Sequence, residues 1–527
     1  MSLLRPDRRR VLQGLGASLL LPALGQRTWA APAGRPGVPD GIQAGDVTDG
    51  RALIWSRTDR PARLLVEWDT QESFRTPRKV AGGVTTATQD YTARIDLAGL
   101  PADQHIFYRV RFEDVDSGAL SEAVTGHLRS APSQRGDIRF VWGGDTVGQG
   151  FGINPDIGGM RIYSAMRERR PDFFLHSGDT IYADGPVPAQ LTVEEGRIWR
   201  NLTTEAKSKV AETLDEFRGN YRYNLMDAHL KRFNAEVPQV WQWDDHETTN
   251  NWSPSKTLDD RYQVKDIGVL SGRARQAFLE YAPMRGVSAD GAGRIYRRIS
   301  YGPLLEVFVL DMRSYRAGND SNLGDEEGGQ GAFLGREQLD WLKQGLQAST
   351  ATWKVIAADM PIGLQVPDGK DAQGQARWEA IANGDPGAPK GRELEIADLL
   401  RFIARQGIRN TVWLTADVHY CAAHHYHPDR AAFQDFEPFW EFVAGPLNAG
   451  SFGPNALDAT FGPEVVFQKA PPQANTSPLS GFQFFGEVEI DGKTAELQVT
   501  LRNQDGHPQF TQRLQPIQGN TTPTAVG

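Results

Sequence analysis

Carboxylates, imidazoles, a phenol and a guanidinium recur at the ends of apolar runs in this chain. Gly143-Gly144-Asp145-Thr146 follows the run Ile138–Trp142, and Ser177-Gly178-Asp179-Thr180-Ile181-Tyr182 follows Asp172–His176. Asp244-Asp245-His246-Glu247 follows Val237–Trp243, Asp311-Met312-Arg313 follows Leu304–Leu310, and Thr415-Ala416-Asp417-Val418-His419 follows Thr411–Leu414. A single Asp in such a place reads as a helix cap or turn former, but five such runs in one chain are hard to explain as capping. Carboxylates that converge repel one another unless cations hold them. Oxygen and imidazole donors suit Ca, Mn, Fe or Zn. Two metals sharing a carboxylate would lower the pKa of a bound water, make a hydroxide nucleophile and clamp a tetrahedral phosphate, which is what hydrolysis of a phosphate ester requires.

The elements around these segments must bring them to one edge. Ile138–Trp142, Asp172–His176, Val237–Trp243, Leu304–Leu310, Trp353–Ala358 and Thr411–Leu414 read as strands. Met160–Arg169, Glu216–Arg232, Arg336–Leu346 and Glu393–Arg405 read as helices between them. Such alternation predicts an α/β domain, with its ligand site beyond the carboxyl ends of the strands. Upstream, short apolar and aromatic runs (Arg51–Ser56, Arg63–Trp68, Tyr91–Leu97, Ile106–Phe112) are punctuated by Gly, Pro and Asp and predict a small all-β sandwich. Ser130-Ala131-Pro132-Ser133 reads as the linker. Two strands flank the turn at Asp491-Gly492, and the polar, Gly- and Pro-rich stretch Gln365–Gly391 reads as a long surface loop.

The first thirty residues have the three parts of an export signal in order: Arg8-Arg9-Arg10, an apolar run from Gly14 to Gly25, and small residues at Thr28-Trp29-Ala30. Paired arginines followed by Val11-Leu12 match a twin-arginine signal, so the export machinery that reads it is an expected partner and the expected location is periplasmic or secreted. No apolar stretch reaches the ~18 residues of a stable membrane span. Without residues 1–30 the chain carries 52 basic and 65 acidic residues, a net charge of −13, which disfavours general binding to nucleic acid. A phosphate substrate would therefore depend on local positive charge such as metals provide. The lone Cys421 excludes an internal disulfide.

Gly178-Asp179 through Tyr182, Asp244-Asp245-His246-Glu247 and Asp417-Val418-His419 resemble the motifs of the PhoD-type alkaline phosphatases, within the metallophosphoesterases that include purple acid phosphatases. Leu310-Asp311-Met312-Arg313-Ser314-Tyr315-Arg316 and Leu334-Gly335-Arg336-Glu337-Gln338 fit the same family, and the resemblance covers nearly the whole chain after the leader. It implies an α/β/β/α metallophosphoesterase domain over 133–520, preceded over 31–132 by a fibronectin-III-like β-sandwich. It also implies hydrolysis of phosphomonoesters, phosphodiesters or both. By the resemblance Asp179 bridges two metal sites, Tyr182 binds an iron-like site as phenolate, and Asp245 holds the second metal where the wider group has Asn. Asp417 and His419 complete the shell, and His246 either protonates the leaving group or holds the phosphate. Asp145 stands where some members place a cysteine thiolate on iron. That departure leaves zinc or manganese open beside the family's iron and calcium.

Other readings compete at single positions. Asn250 and Asn251 either reach a metal or the phosphate or simply form the turn, and Arg313 either binds phosphate or ties the core together. His246-Glu247-Thr248-Thr249-Asn250 lacks the second histidine of a zinc-protease helix. Gly148-Gln149-Gly150-Phe151-Gly152 is followed by Ile153 where a dinucleotide loop needs Gly, and reads instead as a flexible active-site loop. His424, His425 and His427 read as solvated loop histidines. The rival to an enzyme is a metal-stabilised protein that binds a cell-surface polymer without catalysis.

Overall fold

The runs that precede Asp145, Asp179 and Asp245 are buried on both faces almost throughout, the pattern that adjacent strands at the centre of a covered parallel sheet require. In the computed structural model, which describes residues 34–286, 293–326, 328 and 331–517, they are such strands. The leader expected over residues 1–30 lies outside the described residues. The N-terminal strands are β1 (Ile42–Thr48), β2 (Arg51–Arg57), β3 (Ala62–Asp69), β4 (Arg78–Val84), β5 (Thr92–Ala98), β6 (His105–Asp114) and β7 (Val124–Arg129). Then follow β8 (Ile138–Gly143), α1 (Ile162–Glu168), β9 (Phe173–Ser177), a short hairpin β10 (Gln190–Thr192) and β11 (Ile198–Arg200), α2 (Leu214–Asn224), α3 (Ala228–Glu236), β12 (Gln239–Gln242) and α4 (Ile267–Tyr281). The second half comprises β13 (Arg297–Tyr301), β14 (Leu305–Val309), α5 (Arg336–Ala348), β15 (Trp353–Ala357), β16 (Pro367–Lys370), β17 (Ala376–Trp378), α6 (Glu393–Arg405), β18 (Thr411–Thr415) and β19 (Cys421–Tyr426). It closes with β20 (Phe439–Val443), β21 (Pro463–Lys469), β22 (Phe484–Ile490), β23 (Leu497–Asn503) and β24 (Pro508–Leu514).

Two large sheets face each other. One has the order β24-β23-β22-β8-β9-β12-β1-β2-β5, the other β13-β14-β15-β18-β20-β19-β21. Phe140, Trp142, Leu175 and Val240 of the first meet Val307, Val355, Val412, Leu414 and Phe442 of the second in one apolar layer. The outer face of the first sheet is covered by α1 and α3 through Tyr163, Met166 and Phe233, and by α2 and α4 through Phe217 and Phe278. The outer face of the second is covered by α5 and α6 through Leu339, Leu342, Leu346, Ile396, Leu399 and Ile403. This is the expected α/β/β/α sandwich. Among the described residues no helix is long and apolar enough to cross a membrane.

The N-terminal strands form the expected sandwich, with a difference in how it joins the rest. Sheet β4-β3-β6-β7 packs Leu64, Val66, Ile106, Val110 and Phe112 against Ile42, Ala44, Ile54 and Leu97 of β1, β2 and β5. Those three strands in turn continue the large sheet, because β1 pairs in parallel with β12 at Gly45↔Gln239. A Cβ at Gly45 would strike the carbonyl oxygen of Pro283, so only glycine permits this approach.

Four local expectations are corrected. Glu216–Arg232 is not one helix: α2 ends at Asn224 and α3 starts at Ala228, after the cap residue Asp227, whose carboxylate accepts from Leu230 N–H and also from Met160 N–H. Gln365–Gly391 is only partly surface loop. It forms the β16–β17 hairpin and then buries Glu379 to Asn383, because Glu379 is the acceptor for two buried arginines. His424 is not solvated. It lies fully buried on β19, 3.0 Å from Glu441 Oε2, while His425 stacks on Trp440. The loop Gly148–Gly152 is pinned, not loose: the Asn201 amide bonds Gly152 N–H (2.8 Å) and Gly150 O (2.9 Å).

Candidate metal centre

β8, β9 and β12 are parallel neighbours, so the loops after them emerge side by side; β18, central in the facing sheet, delivers the fourth. The segment ends meet in three overlapping groups of ligand atoms, each within 4.8 Å: Asp145 with Asp179 and His419, Asp179 with Asp245 and His246, and Asp244 with Asp245 and Asp417. Asp179 and Asp245 each belong to two groups, the positions expected of shared ligands. Tyr182 Oη is 2.9 Å from His419 Nε2, which is 3.5 Å from Asp145 Oδ1. All the expected ligands, Asp145, Asp179, Tyr182, Asp245, Asp417 and His419, therefore come together.

Their backbone is unusual too. Asp145, Asp179, Asp417 and His419 have φ of 66°, 53°, 63° and 60°, left-handed values rare outside glycine. Such conformations cost about 1–2 kcal/mol each and persist where the surroundings over-determine them. Glu247 supplies part of that constraint, accepting from Thr180 N–H (2.6 Å), Asp179 N–H (3.2 Å) and Asp244 N–H (2.8 Å).

The donor set fits metal ions. Both carboxylate oxygens of Asp145 are buried and accept no hydrogen bond. Burial first, and then neighbouring carboxylates, push Asp145, Asp179 and Asp417 well above the usual carboxylate range. Burial and Asp179 push the Tyr182 phenol up in the same way. Anionic donors in that state call for cations. Burial also holds His419 neutral, at about 4, and its Nδ1 lies 2.5 Å from Gly450 O, which turns Nε2 toward Tyr182 and Asp145.

His246 sits at the rim, 9 % exposed. Its ring stacks on Tyr182 with centroids 4.2 Å apart, and its backbone N–H donates to Asp179 Oδ1 at 3.2 Å. Its Nδ1 is 2.6 Å from Asp184 Oδ1. Burial alone would depress this imidazole; Asp184 and Asp245 overturn that and raise it to about 9. Asp184 stays ionised, at about 2, because His246 and the Asn250 N–H outweigh the effect of burial. Asp184 is absent from the expected site, although its place five residues after Asp179 in the same loop was a usable signal.

The expected phosphate contacts fare differently. Arg313 is fully buried among carboxylates, bonded to Asp244 and Glu379, 3.3 Å from Asp359 and 3.6 Å from Asp417, and no part of it is exposed to solvent. It ties the core together, balancing the buried carboxylates of Asp244, Asp359 and Glu379. Asn251 also has its amide committed, 2.6 Å from Asp368 Oδ1, while its N–H donates to Asp245 Oδ2. Asn250 is exposed at the rim, with its N–H 3.0 Å from Asp184 Oδ2.

The family model described as PhoD-like phosphatase matches residues 140–501, and that described as PhoD-like phosphatase, N-terminal domain, matches residues 24–132. Alkaline phosphatase D of Bacillus subtilis (strain 168) is 26 % identical over 440 residues, covering 78 % of this chain and 70 % of the relative. A solved structure of PhoD superposes with a TM-score of 0.68 at 20 % identity, covering 91 % of this chain and 90 % of that one. A purple acid phosphatase from yellow lupin (Lupinus luteus) seeds superposes with a TM-score of 0.55 at 15 % identity, covering 91 % and 74 %.

Proposed function

The chain belongs to the PhoD-like phosphatase family, and on that premise we propose how its own residues divide the work of a metal-dependent phosphoesterase. The enzyme reading thereby displaces the polymer-binding one. Asp145, Asp179, Tyr182 and His419 would hold one metal; Asp179, Asp245 and Asp417 would hold a second. The observation that carries this assignment is Asp145, a buried carboxylate with both oxygens unpartnered, within 4.8 Å of Asp179 and His419 ligand atoms. When bound, such metals supply Lewis acidity for the phosphoryl oxygens and a water acidic enough to attack phosphorus.

His246 gives the proton to the leaving oxygen. Its Nδ1 is engaged by Asp184, which leaves Nε2 as the donor toward substrate, and the ring's place at the rim supports this role. Arg313 and Glu247 hold the ligand loops from behind. Asn250, exposed beside His246, remains the candidate contact to a phosphoryl oxygen. The substrate is a phosphate ester, and the monoester and the diester both fit this division.

The metals follow from the donors. Tyr182 favours a trivalent ion such as iron in the first site, and the all-carboxylate second site favours calcium; Asp145 in place of a thiolate also admits zinc or manganese. We place the chain in the periplasm or outside the cell through the Arg8-Arg9 signal, with residues 31–132 as the N-terminal domain and 133–520 as the catalytic domain. The test is hydrolysis of an aryl phosphate and a bis-aryl phosphate by wild type and Asp179→Asn. Wild type loses turnover on chelation and regains it with metal, whereas Asp179→Asn holds less metal and stays inactive. An Asp179→Asn enzyme with full metal and full rate refutes the assignment.

A further inference from the structure

Residues 182–187 have no regular structure, yet they carry Tyr182 and Asp184, the two side chains that hold His246 in place. Backbone bonds fasten this segment on both sides: Ala183 N–H to His246 O (2.9 Å), Ala211 N–H to Ala183 O (2.8 Å) and Val187 N–H to Lys207 O (2.8 Å). One side chain joins them. Lys207, 2 % exposed in a single 3-10 turn, donates from Nζ to Tyr182 O at 2.7 Å and to Asn220 Oδ1 at 2.9 Å. Both acceptors are neutral. A lysine buried without a carboxylate on its ammonium is costly to desolvate and is rarely found unless something depends on it.

Asn220 fixes the other end. It lies on α2 and donates to Glu216 O at 3.0 Å, so Lys207 ties the Tyr182 peptide to a packed helix. A peptide held at Tyr182 sets where the ring lies, and the ring is the surface on which the His246 imidazole stacks. Two residues on, the same chain direction sets where the Asp184 carboxylate meets His246 Nδ1.

We infer that Lys207 is a positioning residue for His246, acting through the Tyr182 carbonyl and the loop that carries Asp184. The inference rests on the proton-donor role proposed above. Lys207 touches neither substrate nor His246 itself. It restricts the loop so that the imidazole stays aligned with the leaving oxygen, and misalignments of about 1 Å cost a reaction on the order of a hundredfold.

The test is a double-mutant cycle in the full-length, metal-replete enzyme, with Lys207→Met, His246→Ala and the pair, on aryl phosphates of good and poor leaving groups. Lys207→Met is expected to keep its metal by elemental analysis. It should lose about ten- to a hundredfold in kcat on the poor leaving group and much less on the good one. In the His246→Ala background the same change should have almost no further effect. Equal loss on all leaving groups, or an undiminished loss in the His246→Ala background, overturns the inference and identifies Lys207 as a general support of the fold. If His246→Ala alone shows no leaving-group dependence, the proton-donor reading falls, and the role of Lys207 with it; that result is read from His246→Ala without any Lys207 variant. Should Lys207→Met not fold, Asn220→Ala, which removes the second acceptor of Lys207 together with the amide's bonds to Glu216 O and Ala206 O, takes its place, with a smaller loss of the same selectivity expected.

Discussion

Asp184 Oδ1 lies 2.6 Å from His246 Nδ1, and the two residues come from loops after different strands. In the proposed mechanism this pair would divide the labour of proton transfer: the carboxylate would orient the ring and steady its charge, and the imidazole would face the leaving oxygen.

Removing that carboxylate should change the pH profile before it changes the metal. His246 is raised to about 9 against an ordinary value near 6.5, so its protonated form is the favoured one up to that pH. Stability from this shift is fully present below about pH 6.5 and is lost as pH rises through about 9. Catalysis by the protonated ring should fall over the same upper limb. A metal on Asp245 removes part of that residue's pull, which leaves Asp184 as the main one. Asp184→Asn should therefore move the alkaline limb of kcat for poor leaving groups downward while metal content holds. An unmoved limb would show that His246 does not set it.

Arg313→Met should be among the most destabilising changes in the chain. The guanidinium is fully buried and bonded to Asp244 and Glu379, and its loss strands Asp244 and leaves Glu379 to Arg316 and Asn319. Breaking one side of such a buried network costs about 3–5 kcal/mol. Chemical denaturation of the variant should show a large fall in midpoint. A midpoint within experimental scatter of wild type would mean that the network contributes no net stability.

Tyr182 bears on the identity of the metal. Burial and Asp179 hold the phenol far from ionising, so a phenolate there needs a strongly acidifying ion. With ferric iron in the first site, the purified enzyme should be coloured, and Tyr182→Phe should bleach it. Elemental analysis of protein purified without chelators, with an absorption spectrum, decides the matter. Colourless, fully active enzyme holding only zinc, manganese or calcium rules iron out and leaves the phosphoesterase intact.

Export is tested by changing Arg8, Arg9 and Arg10 to Lys together. The precursor should then accumulate inside the cell, because the paired arginines are what the export machinery reads. Undiminished activity outside the cytoplasm would remove the twin-arginine assignment.

The cluster of candidate ligands was legible in the sequence because each piece of it is local. An apolar run that closes in Gly-Asp, Asp-Asp-His or Asp-Val-His marks both a strand and the donor at its end, and strand–helix alternation brings such ends to one edge. What lies behind those ends depends on which loops meet, and the alternation leaves that open. Tyr182 and His419 are 237 residues apart in the chain, and Arg313 and Glu379 are 66 apart. Whether Arg313 faces substrate or core, whether the Asn251 amide is free or held by Asp368, and whether His424 is wet or buried on Glu441 were all decided by tertiary packing. The same residue types serve either role. A charged or polar side chain is assigned by the partners that desolvate or satisfy it, and those partners arrive from distant segments only when the two sheets close on each other.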